Sequence, residues 1–445
     1  MKKIWAKGET TFRTEILTED VLRGGKMRDL TYGKIKGGCR LVREFSFSKA
    51  PVFPDSDKEY FVFPGFCDVH VHLREPGFFY KESIRTGTMA AARGGFTAVC
   101  AMPNLDPVPD SRENLLKEIG TIARDAVINV YPYAALTVGE KGLVAADLEG
   151  TSDLCVAYSD DGKGVQRRDT MLSLMERAEK LGKIVAAHCE DESLLRGGYI
   201  HDGIYAKTHG HKGICPESEY LQIERDLALA EETGVKYHVC HVSAKESVEL
   251  IRKAKKRGAN VTCETAPHYL VLDENDLREE GRFKMNPPLR SEKDRLALIE
   301  GIKDGTIDMI ATDHAPHSAE EKSRGLSGSA FGIVGLETAF PVLYTELVRK
   351  GVITADRLIG LMAIEPRRRF GIPFGKSKNN FVTLSSGENV GDFSVWELGE
   401  EYEIDPEEFL SKGRATPFEG RRVFGRNIAT FVNGKEVYSS AEKGR

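Results

Sequence analysis

From residue 61 onward the chain alternates between short apolar runs and longer segments with helical spacing. The apolar runs are 61–73, 96–103, 127–136, 153–159, 183–189, 236–243, 260–271 and 307–314. Near-continuous apolar runs of this length read as strands buried on both faces. Between them lie helix-like stretches at 81–93, 111–124, 169–181, 218–233, 244–257 and 291–304. Ser111, Asp169, Ser218, Ser243 and Ser291 stand where an N-cap belongs, because their side-chain oxygens can accept from the free N–H groups of a first turn. Eight strand–helix alternations predict an α/β fold, a TIM-like (β/α)8 barrel, closed by helices at 335–349 and 354–363. A doubly wound open sheet is the competing topology, but no Gly-x-Gly-x-x-Gly follows any of the runs.

The flanks follow a different pattern. Residues 1–63 read as β-rich, broken at Gly24-Gly25 and Gly37-Gly38, with a short helix only at 18–22. Past residue 369 the chain turns strand-like again at 380–396 and 421–439, where Asn433-Gly434 marks a hairpin turn. The simplest assembly pairs 1–63 with 370–445 in a small β-sandwich domain beside a barrel spanning 64–369.

Composition narrows the partners. The chain has 445 residues, 40% hydrophobic and 29% charged, with a net charge of -5. A weakly acidic chain has no electrostatic footprint for nucleic acid. No run approaches the roughly 20 apolar residues of a membrane span. The basic N-terminus lacks the apolar core of a signal peptide. Eight cysteines are scattered without a Cys-x-x-Cys pair, which reads as reduced thiols in a cytoplasmic protein rather than a disulfide framework.

Candidate chemistry gathers at one end of the predicted strands. His70 and His72 lie two apart on the first, so both rings share a face. A lone His-x-His is more often a pair of hydrogen-bonded core residues. Here, however, Asp160-Asp161 ends the fourth run, His188 the fifth, His241 the sixth, and Asp313 the eighth. Eight of the eleven histidines lie at or near strand C-termini and none follows His317. In a barrel that rim carries the active site. Imidazole and carboxylate together suit Zn²⁺ or a similar divalent ion. Four histidines and two aspartates exceed the ligand set of one catalytic zinc, whereas two ions about 3.5–4 Å apart would use all six. His70 and His72 would hold one ion, His188 and His241 the other, with an acidic residue of the fourth strand bridging and Asp313 beside the nucleophile. Metal coordination lowers the pKa of water to about 7, which suits hydrolysis of an amide-like bond with Asp313 as proton acceptor and donor.

The runs Asp68-Val69-His70-Val71-His72-Leu73-Arg74-Glu75-Pro76-Gly77, Ala101-Met102-Pro103-Asn104, Ser159-Asp160-Asp161-Gly162, Ala187-His188-Cys189-Glu190-Asp191, His238-Val239-Cys240-His241-Val242-Ser243, Glu264-Thr265-Ala266-Pro267-His268-Tyr269-Leu270, Asn286-Pro287-Pro288-Leu289-Arg290 and Thr312-Asp313-His314-Ala315-Pro316-His317 together resemble the amidohydrolase superfamily, and within it the dihydroorotase family. The resemblance covers 64 to about 370. It implies reversible cyclisation of N-carbamoyl-L-aspartate to L-dihydroorotate in pyrimidine biosynthesis. It selects Asp161 as the bridging ligand, with Asp160 the fallback and a modified Lys163 a further alternative, as in the branch that uses aspartate in place of carbamylated lysine. Substrate contacts would fall to Arg74, whose planar fork suits a carboxylate, and to Asn104, Asn286 and His317. His238 reads as structural, and His268 and His314 as supports for the ligands. Residues 196–213, with His201, His209 and His211, read as a surface loop.

Two other readings compete. A hydantoinase or allantoinase shares fold and metals, but a neutral ring has no use for Arg74. A metal-free relative acting only as a structural partner of aspartate transcarbamoylase would lack ligands, and all six are present. A homodimer and association with aspartate transcarbamoylase both remain open on the sequence.

Overall fold

The computed structural model describes residues 12–13, 33–36, 59–374 and 392–441. The predicted run 61–73 divides at Gly65. Glu59–Pro64 joins an antiparallel sheet, and β1 (Phe66–Val71) begins the parallel strands. A side chain at Gly65 would run into Thr97, so glycine lets the chain pass from one sheet to the other.

The parallel strands continue as β2 (Phe96–Ala101), β3 (Asn129–Pro132, resuming at Ala134–Ala135), β4 (Tyr158–Ser159), β5 (Ile184–Ala187), β6 (Lys236–Val239), β7 (Val261–Thr265) and β8 (Met309–Ile310). Each pairs in parallel with its sequence neighbour. β3 changes partner at Tyr133: its N–H donates to Ala101 O at 2.9 Å, while Ala134 N donates to Ala157 O at 3.1 Å. Beyond β8, His314 forms a parallel bridge with Val71, and its carbonyl accepts from His72 N at 2.8 Å. The segment after β8 therefore touches the end of β1. Helices Ile84–Arg93, Arg112–Asp125, Arg168–Lys180, Glu217–Thr233, Lys245–Lys256 and Glu292–Asp304 separate the strands. Small and thiol side chains of the strands, among them Cys67, Ala98, Cys100, Ala157, Ala186, Cys240 and Ala311, pack together in one buried cluster. That packing accounts for cysteines inside apolar runs; the described cysteines are all free.

The antiparallel sheet draws on both flanks. Its order is Phe12–Arg13, Gly33–Lys36, Glu59–Pro64, Phe393–Glu403, Arg422–Val432, Lys435–Ser439. The expected sandwich is, over the described residues, this one six-stranded sheet. Asn433 and Gly434 turn the final hairpin with φ of 50° and 77°, the left-handed pair that a tight hairpin needs. Trp396 fastens this sheet to the parallel strands, its ring 4.3 Å from Phe340 and 5.6 Å from Phe66 between centroids. Truncating so buried an aromatic costs about 3–5 kcal/mol.

Several sequence expectations need correction. The run 260–271 is a strand only through Thr265; Pro267 then opens a short helix, Pro267–Val271, where its fixed φ suits a first turn. Ser111 and Ser291 cap their helices. Asp169 lies one residue inside its helix, capped by Arg167, and Ser218 one inside a helix capped by Pro216. Ser243 precedes the cap Ala244 because Glu219 and Arg290 claim its hydroxyl. Residues 196–213 are more than a loop: they hold the helix Ile204–His209, and Ile200–His201 pairs in parallel with Gly213–Ile214. The helix expected at 18–22 lies outside the described residues. No described helix is long and apolar enough to cross a membrane.

Candidate active site

The C-terminal ends of the strands deliver six side chains to one buried place. His70 sits in β1, and His72 one residue past its end. Asp161 follows β4, His188 follows β5, His241 follows β6, and Asp313 follows β8. His70 Nε2 lies 3.4 Å from Asp161 Oδ1 and 3.6 Å from Asp313 Oδ1. His72 Nε2 lies 3.5 Å from Asp161 Oδ2 and 3.2 Å from Asp313 Oδ1. His241 Nε2 is 3.6 Å from Asp161 Oδ1 and 2.9 Å from His188 Nδ1. Asp161 thus stands among all four histidines, with His188 Nδ1 at 3.9 Å.

Asp160, the fallback bridge, points elsewhere. Its carboxylate accepts from Leu136 N at 2.8 Å, from Thr137 N at 3.0 Å and from the Thr137 hydroxyl, tying β4 to the loop after β3. Lys163 is exposed on the turn beyond. Successive residues of an extended chain face opposite ways, so only one of the two aspartates can reach the histidines.

The cluster fits a divalent cation. His70, Asp161 and His241 offer ligand atoms within 4.8 Å of one another, as do His70, His72 and Asp313. His70 Nε2 and Asp161 Oδ1, 3.4 Å apart, are buried without a hydrogen-bond partner, a state that normally costs free energy unless something occupies the space beside them. Burial alone would raise the Asp161 pKa, but His70 and His241 outweigh it and hold the carboxyl well below the usual range. The same balance, with His72 foremost, lowers Asp313. Both carboxylates are therefore set to face positive charge. Arg74, His241 and Asp313 adopt left-handed backbone, with φ of 61°, 33° and 47°. Such conformations cost about 1–3 kcal/mol each and concentrate where function over-determines geometry.

Around the cluster stand the residues expected to meet a substrate. Arg74 Nε donates to Pro316 O at 3.3 Å, and Nη2 lies 3.4 Å from His317 Nε2. Asn104 Nδ2 donates to Asp161 O at 2.6 Å and Glu140 Oε1 at 3.1 Å. Asn286 Nδ2 donates to Glu190 Oε2 at 3.1 Å and lies 3.5 Å from His188 Nε2. With their amide nitrogens so engaged, the buried Oδ1 atoms of Asn104 and Asn286 have no partner. His314 turns away, its Nδ1 accepting from Gly335 N at 3.2 Å. His268 is buried near Asp313, and burial pushes its pKa down to about 4. His211 pairs with Glu279 at 2.8 Å and Tyr199 at 2.9 Å, apart from the cluster.

Sequence reasoning missed the acidic supports. Glu264 in β7 faces His70 Nδ1 at 2.8 Å, His238 Nε2 at 3.1 Å and His241 N at 3.3 Å. Burial opposes its charge, but His238 and His70 prevail and bring its pKa down to about 2. Holding the proton on His70 Nδ1 leaves the Nε2 lone pair aimed at the cluster. A lone carboxylate inside an otherwise buried strand was the available signal. Glu140 and Glu190 accept from the side-chain amides of Asn104 and Asn286.

The architecture is that of cyclic-amide hydrolases. L-hydantoinase from Arthrobacter aurescens superposes with a TM-score of 0.74 at 25% identity, over 85% of each chain. Dihydropyrimidinase from Brevibacillus agri NCHU1002 superposes with a TM-score of 0.72 at 21% identity, over 92% of this chain and 91% of that one. The sequence is more specific. A family model described as dihydro-orotase-like matches residues 60–247. Dihydroorotase of Listeria innocua serovar 6a is 50% identical over 381 residues, 85% of this chain and 88% of that protein. Dihydroorotase of Bacillus cytotoxicus is 47% identical over 408 residues, 91% of this chain and 92% of that protein. The chain belongs to the dihydroorotase family.

Proposed function

We propose that this chain interconverts L-dihydroorotate and N-carbamoyl-L-aspartate, the ring-closing step of pyrimidine biosynthesis. The observation that carries the reading is the set of groups around the candidate metal cluster: the Arg74 guanidinium against His317, and two unpartnered amide oxygens, Asn104 Oδ1 where its amide meets Asp161 O and Asn286 Oδ1 where its amide meets His188. Dihydroorotate presents the complement, one carboxylate and two ring N–H groups. The fork offers paired donors to the carboxylate, and each Oδ1 can accept from one N–H.

The eight strands form a closed (β/α)8 barrel over 64–369, with 1–63 and 370–445 building the small β domain. His70, His72, Asp161, His188, His241 and Asp313 would hold Zn²⁺, two ions per chain with all six serving. When bound there, the metal would supply Lewis-acid polarisation of the ring carbonyl and a water-derived nucleophile at neutral pH. Asp313 takes the proton released as the C–O bond forms. It returns that proton to the ring nitrogen as the C–N bond breaks, leaving the free carboxylate of carbamoyl aspartate. Arg74, Asn104 and Asn286 hold the ring so that the carbonyl carbon lies over the cluster.

The test is turnover of L-dihydroorotate by the zinc-loaded protein, beside hydantoin and an Arg74→Ala variant. Turnover that collapses in the variant supports the assignment. Turnover of hydantoin with none of dihydroorotate would move the protein to the hydantoinases and keep its fold and metals. Light scattering with and without aspartate transcarbamoylase tests whether the chain acts as a homodimer or within a larger complex.

A further inference from the structure

Lys81 belongs to the segment after β1, immediately beyond the exposed Phe79 and Tyr80. Its ammonium lies 3.3 Å from His317 Nδ1 and 3.0 Å from Glu321 Oε1. An ammonium has donors only, so His317 Nδ1 must be the acceptor. The other ring nitrogen, Nε2, lies 2.7 Å from Phe331 O, and a carbonyl oxygen can only accept. The two contacts together allow a single state of the ring: neutral, with the proton on Nε2. The charges around it agree. Burial, then Arg74 and Lys81, lower the His317 pKa to about 3, against the opposing Glu321.

This state matters to Arg74. Arg74 Nη2 is 3.4 Å from His317 Nε2, and in the opposite tautomer that nitrogen would accept from the guanidinium. With the Nε2 proton spent on Phe331 O, it has no lone pair in the ring plane to offer. The Nη2 hydrogens of Arg74 stay free. Without Lys81, the ring could instead place its proton on Nδ1 toward Glu321 Oε2, 3.4 Å away, and Nε2 would then accept from Arg74.

We propose that Lys81 is a positioning residue: it holds His317 in the Nε2–H tautomer and so keeps the Arg74 fork open for the substrate carboxylate. The inference rests on the reading of Arg74 as the carboxylate site. Its tautomer half does not depend on turnover.

The test uses zinc-loaded, full-length protein labelled with ¹⁵N-histidine, with the His317 signals identified by their loss in His317→Asn. Wild-type protein should show a protonated Nε2 and an unprotonated Nδ1. Lys81→Met should move the proton to Nδ1 and raise KM for dihydroorotate about tenfold, the equivalent of one lost hydrogen bond, with kcat nearly unchanged. Glu321→Gln removes the ion pair but leaves the ammonium beside Nδ1, and should keep the wild-type tautomer. A wild-type ring protonated on Nδ1, an unmoved proton in Lys81→Met, or a Glu321→Gln spectrum matching Lys81→Met would each overturn the proposal. If the wild-type protein is silent on dihydroorotate, the substrate reading fails while the ¹⁵N spectra still decide the tautomer.

Discussion

Replacing Glu264 by glutamine changes little in volume and much in hydrogen bonding. The carboxylate is 1% exposed and faces three N–H donors, on His70 Nδ1, His238 Nε2 and the His241 backbone. Glutamine supplies one acceptor oxygen and replaces the other with an NH₂. Either His70 or His238 then faces a donor. A buried donor left without a partner costs about 1–3 kcal/mol. If the loss falls on His70, its ring can flip tautomer or rotate, and Nε2 no longer aims at Asp161. Partners behind metal-binding histidines contribute about 10- to 100-fold in metal affinity, which matches that energy at tenfold per roughly 1.4 kcal/mol. Competition with a chromophoric zinc chelator measures the affinity, and circular dichroism checks the fold. A native spectrum with unchanged zinc affinity would show that Glu264 does not orient His70 toward a metal.

Two further measurements probe other parts of the argument. Asp161→Asn should abolish tight zinc binding with little change in thermal stability. Asp160→Asn should keep the zinc and lower Tm, because that carboxylate accepts from two backbone N–H groups and a hydroxyl of the loop after β3; equal zinc loss in both variants would refute the division of roles. Glu118 is 2% exposed, its Oε2 has no partner, and burial holds its pKa well above the usual value. A raised carboxyl pKa gives stability that is present below the unfolded pKa and lost as pH rises through the folded one. Glu118→Gln should therefore raise Tm at pH 8 by the equivalent of about 1–3 kcal/mol, with the gain shrinking toward pH 4.5, and a gain independent of pH would exclude charge burial as its cause.

The sequence by itself determined the order of strands and helices, because local periodicity is set by which residues neighbours along the chain can bury. It also marked the candidate site residues. His70, His72, His188, His241 and Asp313 are polar groups closing apolar runs, and that placement is a property of the chain. It could not separate Asp160 from Asp161 by residue type, since both are aspartates at one turn. Only the loop after β3, which offers Asp160 its donors, turns one inward by claiming the other. It could give Glu264 no role, because its partners lie 194 and 26 residues away. Nor could it assign Lys81, whose meaning depends on His317 being 3.3 Å distant and 236 residues along the chain. The tertiary structure decided these points because a hydrogen bond depends on distance and direction in space, and neither is written in the spacing of residues along the chain.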